Sequence, residues 1–219
     1  MPETDRYPAI AEEALEPGSD QKQLHELMTS DLTKLFGEVF TFQDAKTKAL
    51  VGLFSHFLYL PAGVFEAFHA QAVVLASVPG FSRKCREIAI LTVGEHYGAT
   101  FELYSHARIA KQVGLSDTQI EDVMGGRPPS GATEEEITTW EVARALSGAG
   151  SGSVKGPLSE ELWTKAERTF GKTTAGALIH YTGFYAYTCI ILNGMAASVP
   201  AGEKVWPVSN TDGNANPEQ

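Results

Sequence analysis

Three side chains in this sequence have the types and spacing to do chemistry: Glu87, Glu102 and His106. They lie in the stretch 86–106, REIAILTVGEHYGATFELYSH, which is otherwise largely apolar. Glu102 and His106 are one helical turn apart, so they share a face, and Ala99 falls on the same stripe. Glu87 precedes a break at Gly98 and reaches the other two only if its helix packs back antiparallel. A carboxylate and an imidazole on one helix face, with a second carboxylate from a neighbouring helix, suit proton transfer. Burial raises a carboxylate pKa, and anionic neighbours raise that of histidine. Such a group would hold one mobile proton near neutral pH. The plainer alternative is a buried ion pair that only ties two helices together.

The remaining candidates are weaker. His96 lies half a turn from Glu87 on one helix, so the two share a pocket only if that helix breaks first. With its neighbour Tyr97 it is kept as a minor substrate-binding candidate. His180 sits among Tyr181, Tyr185 and Tyr187; aromatics at this spacing are usually core. Tyr185 and His180 could nevertheless wall a small-molecule pocket. His25, His56 and His69 are isolated, and a satisfied core or surface histidine is the default. Arg86 points about 100° away from Glu87 and is not counted as a carboxylate binder.

No metal is expected, because no His, Asp, Glu or Cys cluster has ligand spacing. A glycine-rich phosphate loop after a strand and a GxSxG elbow are both missing, so cofactor-free chemistry is the simplest enzymatic case. The two cysteines, Cys85 and Cys189, are far apart in apolar context. Each reads as a small buried hydrophobe in a reducing compartment.

The elements that must position these groups are helices. Apolar residues recur at three and four from about Gln21 to a stop at Gly37. Apolar helical runs follow at 49–59, ending before Pro61, and at 63–77. Ser82 is an N-cap for a fourth helix, which Gly98 ends, and a fifth runs over 99–113. Ser116 with Gln119 makes a capping box for a short sixth helix. An acidic start at 133–136 opens a seventh. SGAGSGSVKGP is a flexible connection. Ser159 caps an eighth helix, and an uncharged ninth spans about 174–199. No strand alternation of useful length and no internal repeat is found. The expectation is an all-α fold: an N-terminal arm at 1–19, partly mobile, a helical domain at 20–200 and a C-terminal tail at 201–219.

At 219 residues, with 43% hydrophobic content, one domain with a single core is expected. The formal net charge of −10 argues against nucleic acid and anionic membrane surfaces as partners. Residues 173–202 contain no Asp, Glu, Lys or Arg. That is long enough to span a bilayer. Its His180, threonines, tyrosines and Asn193 would be costly in lipid, so a buried core or interface helix is expected instead.

With these motifs in place, the chain resembles the carboxymuconolactone decarboxylase family, which shares the AhpD-like all-α fold with alkylhydroperoxidases. The resemblance covers about 53–200. It rests on REIAIL at 86–91, HYGATFELYSHARIAKQVGLS at 96–116 and TGFYAYTCIILNGMAASVP at 182–200. In the peroxidase branch a glutamate precedes CxxC and a histidine. Here Glu87 and His106 match the outer positions, while Ala99 and Glu102 replace both cysteines. Peroxide reduction by that route needs two thiols, so it is disfavoured. Phe101, Glu102 and His106 instead match the decarboxylase branch.

What the resemblance implies is a cofactor-free lyase (decarboxylase) or isomerase acting on a small carboxylated or lactone metabolite, in secondary metabolism or aromatic catabolism. His106 would be the general acid, with Glu102 and Glu87 orienting and tuning it. The resemblance also implies a homotrimer or homohexamer, and the reading of the cysteines fits a cytoplasmic location. A catalytically idle oligomeric binding protein is the remaining alternative.

Overall fold

The computed structural model describes residues 6–148 and 156–206. Among them the architecture is all-helical. Helix α1 spans Asp20–Phe36, α2 Ala62–Ala76, α3 Arg83–Tyr97, α4 Thr100–Gln112, α5 Asp117–Met124, α6 Glu134–Ser147 and α7 Glu160–Met195. Two 3₁₀ segments, Glu12–Ala14 and Gly52–Tyr59, complete it. The only extended pairing among the described residues is one antiparallel bridge, Gln43 to Leu50.

Local sequence explains most boundaries. The Ser82 side chain accepts from the Cys85 amide and starts α3. Gly98, in the left-handed region at φ 60°, ends it. Ser116 with Gln119 and Thr133 with Glu136 both form complete capping boxes. Helix α3 lies at the centre and packs against α4, α5, α6 and α7. Its Ile88, Ile90, Leu91 and Val93 are fully buried.

Three expectations need correction. The run at 49–59 is not an α-helix: it enters as extended chain and becomes the 3₁₀ segment. Gly52 opens that segment at φ 60°, and the Phe101 ring occupies the space where a Cβ would sit. Leu53, Phe54, Phe57 and Leu58 are all buried around it, so tertiary packing on every side overrides helical periodicity. The N-terminal arm is tied down from Arg6 onward. The Arg6 amide bonds to the Met195 carbonyl, Tyr59 donates to the Pro8 carbonyl, and Leu15 is buried. Finally, α7 is two helical segments meeting at a kink at Gly171 (φ 74°, ψ 160°), so the eighth and ninth helices stand as expected and only the end of the ninth needs correction. It stops at Met195, short of the expected end.

By length and composition alone α7 could cross a membrane; half of its most apolar window is buried against the other helices. It is not fully buried, since Tyr187 and Ile190 are about half exposed. Most of the expected Gly/Ser connection at 147–157, and the end of the C-terminal tail, lie outside the described residues. The described part of that tail is anchored by Arg108, which bonds Glu203 and the Lys204 carbonyl.

Candidate active site

The α3–α4 junction builds the site. The left-handed turn at Gly98 reverses the chain, so α4 runs back along α3. Residues nineteen apart in sequence then meet: His106 Nδ1 lies 2.8 Å from Glu87 Oε2. From within α4, Glu102 places Oε1 3.4 Å from His106 Nε2. The imidazole is thus flanked by a carboxylate at each nitrogen. The Glu87 and Glu102 side chains are almost entirely buried, and His106 is nearly so. Glu102 Oε1 makes no hydrogen bond at all.

These contacts set the proton affinities. Burial pushes the Glu102 carboxyl up to about 7; the Glu87 charge adds to that, and His106 partly offsets it. Burial alone would lower the pKa of His106, but the Glu87 and Glu102 carboxylates outweigh it, and the net shift is upward. His106, with its proton held more tightly, and Glu102, raised toward neutrality, therefore form a coupled pair that can exchange a proton.

All three groups open onto one cavity of about 360 Å³ between α1, α2, α3, α4 and α7. Its walls are mainly apolar: Phe36, Phe54, Phe65, Phe68 and Phe184 contribute rings. That size and character suit a small organic ligand. Tyr185 belongs to it, with its ring 5.3 Å from that of His106 in edge-on contact. Burial drives its hydroxyl pKa far up, so it remains a neutral donor.

Three expected binding residues do not belong. His96 sits on another side of α3, half a turn from Glu87, and packs edge-on against Tyr97 at 4.9 Å. Tyr97 packs against the aromatic core, and its carbonyl accepts from Asn193. His180 is exposed on the outside of α7. Tyr181, one residue on, turns inward and lines the cavity with Tyr185 one turn later. Ala99 is buried as the residue that opens α4, away from the pocket.

Other cavity residues were not singled out from the sequence. Arg83 and Arg86 stand in the wall, at i and i+3 in the first turn of α3. With the Ser82 cap recognised, that spacing would have put both on the face that carries Glu87. The angle between adjacent residues was a poor guide for Arg86. Its long side chain extends across to the end of α2, where it donates to the Ala76 carbonyl. His69, from α2, also lines the cavity and stacks on Phe65.

Both cysteines are buried and free. Burial raises the thiol pKa of each. Among the described residues, no group of three or more His, Cys, Asp or Glu is placed to hold a metal ion. Compared with protein-family models, curated proteins and solved structures, the chain has no significant match in any of the three.

Proposed function

We propose that this chain is a cofactor-free lyase (decarboxylase) or isomerase that works by proton transfer on a carboxylated or lactone metabolite. The observation that carries this is His106 held between Glu87 and Glu102 in the wall of a mainly apolar cavity. A purely structural ion pair does not need a second buried carboxylate with an oxygen that accepts no hydrogen bond, since its desolvation is costly.

In a decarboxylation, the bond from the substrate carbon to its carboxylate breaks and CO₂ leaves. The electron pair passes to a neighbouring carbonyl, forming an enolate. Apolar walls favour this step because they strip water from the charged carboxylate. His106 then gives its Nε2 proton to the carbanionic carbon. Glu87 holds Nδ1 and keeps the ring oriented. Glu102, with a carboxyl poised near neutrality, returns a proton to Nε2. An isomerisation would use the same groups, with proton removal in place of CO₂ loss.

The resemblance of 86–91, 96–116 and 182–200 to the carboxymuconolactone decarboxylase family supports this assignment. A homotrimer or homohexamer is proposed on the same basis, and the exposed Val73, Val74, Tyr187 and Ile190 would suit its contacts. Buried free thiols suit a reducing cytoplasm. A thiol peroxidase is disfavoured, because raised thiol pKa values leave little thiolate to attack a peroxide.

The test is CO₂ release or enol-proton exchange measured on carboxymuconolactone and a panel of aromatic β-keto acids. His106→Gln is expected to lower turnover roughly 10²- to 10⁴-fold with the helical circular dichroism unchanged. Turnover that survives both His106→Gln and Glu102→Gln would overturn the proposal.

A further inference from the structure

The cavity has a cationic side as well as an acid–base side. Arg86 is half-buried in its wall, and Arg83 stands exposed at its rim. Among the described residues neither has a carboxylate partner. Arg108, Arg127 and Arg168 each hold a carboxylate of this chain, whereas Arg6 and Arg144 bond backbone carbonyls, as Arg86 does. Arg86 bonds only the Ala76 carbonyl, through Nη1. That leaves Nη2 and Nε as donors. The Ala76 contact fixes the guanidinium without pairing its charge with a carboxylate.

A row of rings leads from this cation to the proton-transfer group. Arg86 and Tyr181 both line this cavity. The Tyr181 and Tyr185 ring centres are 4.9 Å apart, and those of Tyr185 and His106 are 5.3 Å apart. Phe68 and Phe184, also lining the cavity, face each other at 4.8 Å. A flat aromatic body matches walls of this kind better than a flexible polar chain, because rings stack on rings.

We propose that Arg86, assisted by Arg83, is the anion anchor of this cavity, and that its ligand is an aromatic carboxylate. The carboxylate sits on the guanidinium and the ring system lies along Tyr181 and Tyr185 toward His106. This rests on the acid–base reading of the same cavity, to which it adds the substrate class. The anchored carboxylate is one the substrate keeps. A carboxylate lost as CO₂ would be held back by a cation, since ion pairing stabilises the state before bond cleavage.

The experiment is calorimetric titration of the full chain with 2-naphthoate and with its neutral analogue 2-naphthalenemethanol. Wild type is expected to bind the naphthoate roughly ten- to a hundredfold more tightly, the range for a hydrogen bond to a charged group. Arg86→Gln should abolish that preference. Arg86→Lys should retain part of it, as a point charge without the planar fork. Arg83→Gln should weaken it less.

Equal affinity for the two ligands, a preference that survives Arg86→Gln, or no binding of either would overturn the proposal. If Arg86→Gln does not fold, wild type and Arg86→Lys decide the matter. A preference unchanged by the lysine and by added salt would then overturn it. The preference is expected to persist in His106→Gln, so failure of the anchor and failure of the acid–base chemistry give different results.

Discussion

His106 Nδ1 and Glu87 Oε2 lie 2.8 Å apart although the two residues belong to different helices. The contact exists because Gly98 takes a left-handed conformation and folds α4 against α3. It leaves Nε2 of the same ring to face Glu102 at 3.4 Å. One imidazole thereby links a fixed carboxylate to a second one that has no hydrogen-bond partner at Oε1.

The buried Glu102 carboxyl predicts a pH-dependent stability. Glu102 is ordinarily at 4.5 and is raised to about 7 when folded. The folded state therefore binds more protons than the unfolded one between those values. Its stabilising contribution is present below about 4.5 and is lost as pH rises through 7. His106, raised above 6.5, acts in the same direction at higher pH. Urea denaturation from pH 5 to 8 should show stability falling as pH rises. Glu102→Gln should flatten the curve by an amount on the order of 1–3 kcal/mol. A mutant curve parallel to wild type would contradict the burial of a titrating Glu102.

Removing Glu87 should differ from removing Glu102. Glu87→Gln takes away the charge that holds and raises His106. The histidine pKa, followed by NMR, should fall, since the opposite charge at hydrogen-bond distance that favours the imidazolium is gone. A histidine titration that stays put would mean the Glu87 contact does not form in solution.

Gly52 should be intolerant of any side chain. Its φ is 60°, and an added Cβ would fall 1.9 Å from the Phe101 ring. Strain in the left-handed region and overpacking each cost about 1–3 kcal/mol, so Gly52→Ala should destabilise the fold by roughly 2–6 kcal/mol in denaturant. Phe101→Leu on top of it should recover only the packing part. Full recovery would show that backbone conformation contributes nothing at this position.

The thiols should be unreactive in the native protein. Cys85 and Cys189 are both fully buried. Labelling with a thiol-specific disulfide reagent should be slow under native conditions and fast in urea. Cys85→Ser should leave any hydroperoxide consumption unchanged, and a thiol-dependent peroxidase signal would revive the disfavoured activity.

Much of the helical layout was legible locally. Ser82, Ser116, Thr133 and Ser159 each cap the helix that their sequence context announces, because caps are satisfied by groups within a few residues. The pairing of Glu102 with His106 was legible for the same reason, being one turn of one helix. The 3₁₀ segment Gly52–Tyr59 was not. Its apolar run fits a helix locally, and only the approach of the Phe101 ring to Gly52 selects another path.

The sequence by itself determined the helix starts, the all-α class and the stripe carrying Glu102 and His106, since each depends on neighbours within one or two turns. Tertiary structure alone decided which side chains share a cavity. It brought Glu87 to His106, turned Tyr181 and Tyr185 inward, left His180 in solvent and stretched Arg86 across to α2. Those outcomes depend on where one helix lies against another, and spacing along a single helix carries no information about that.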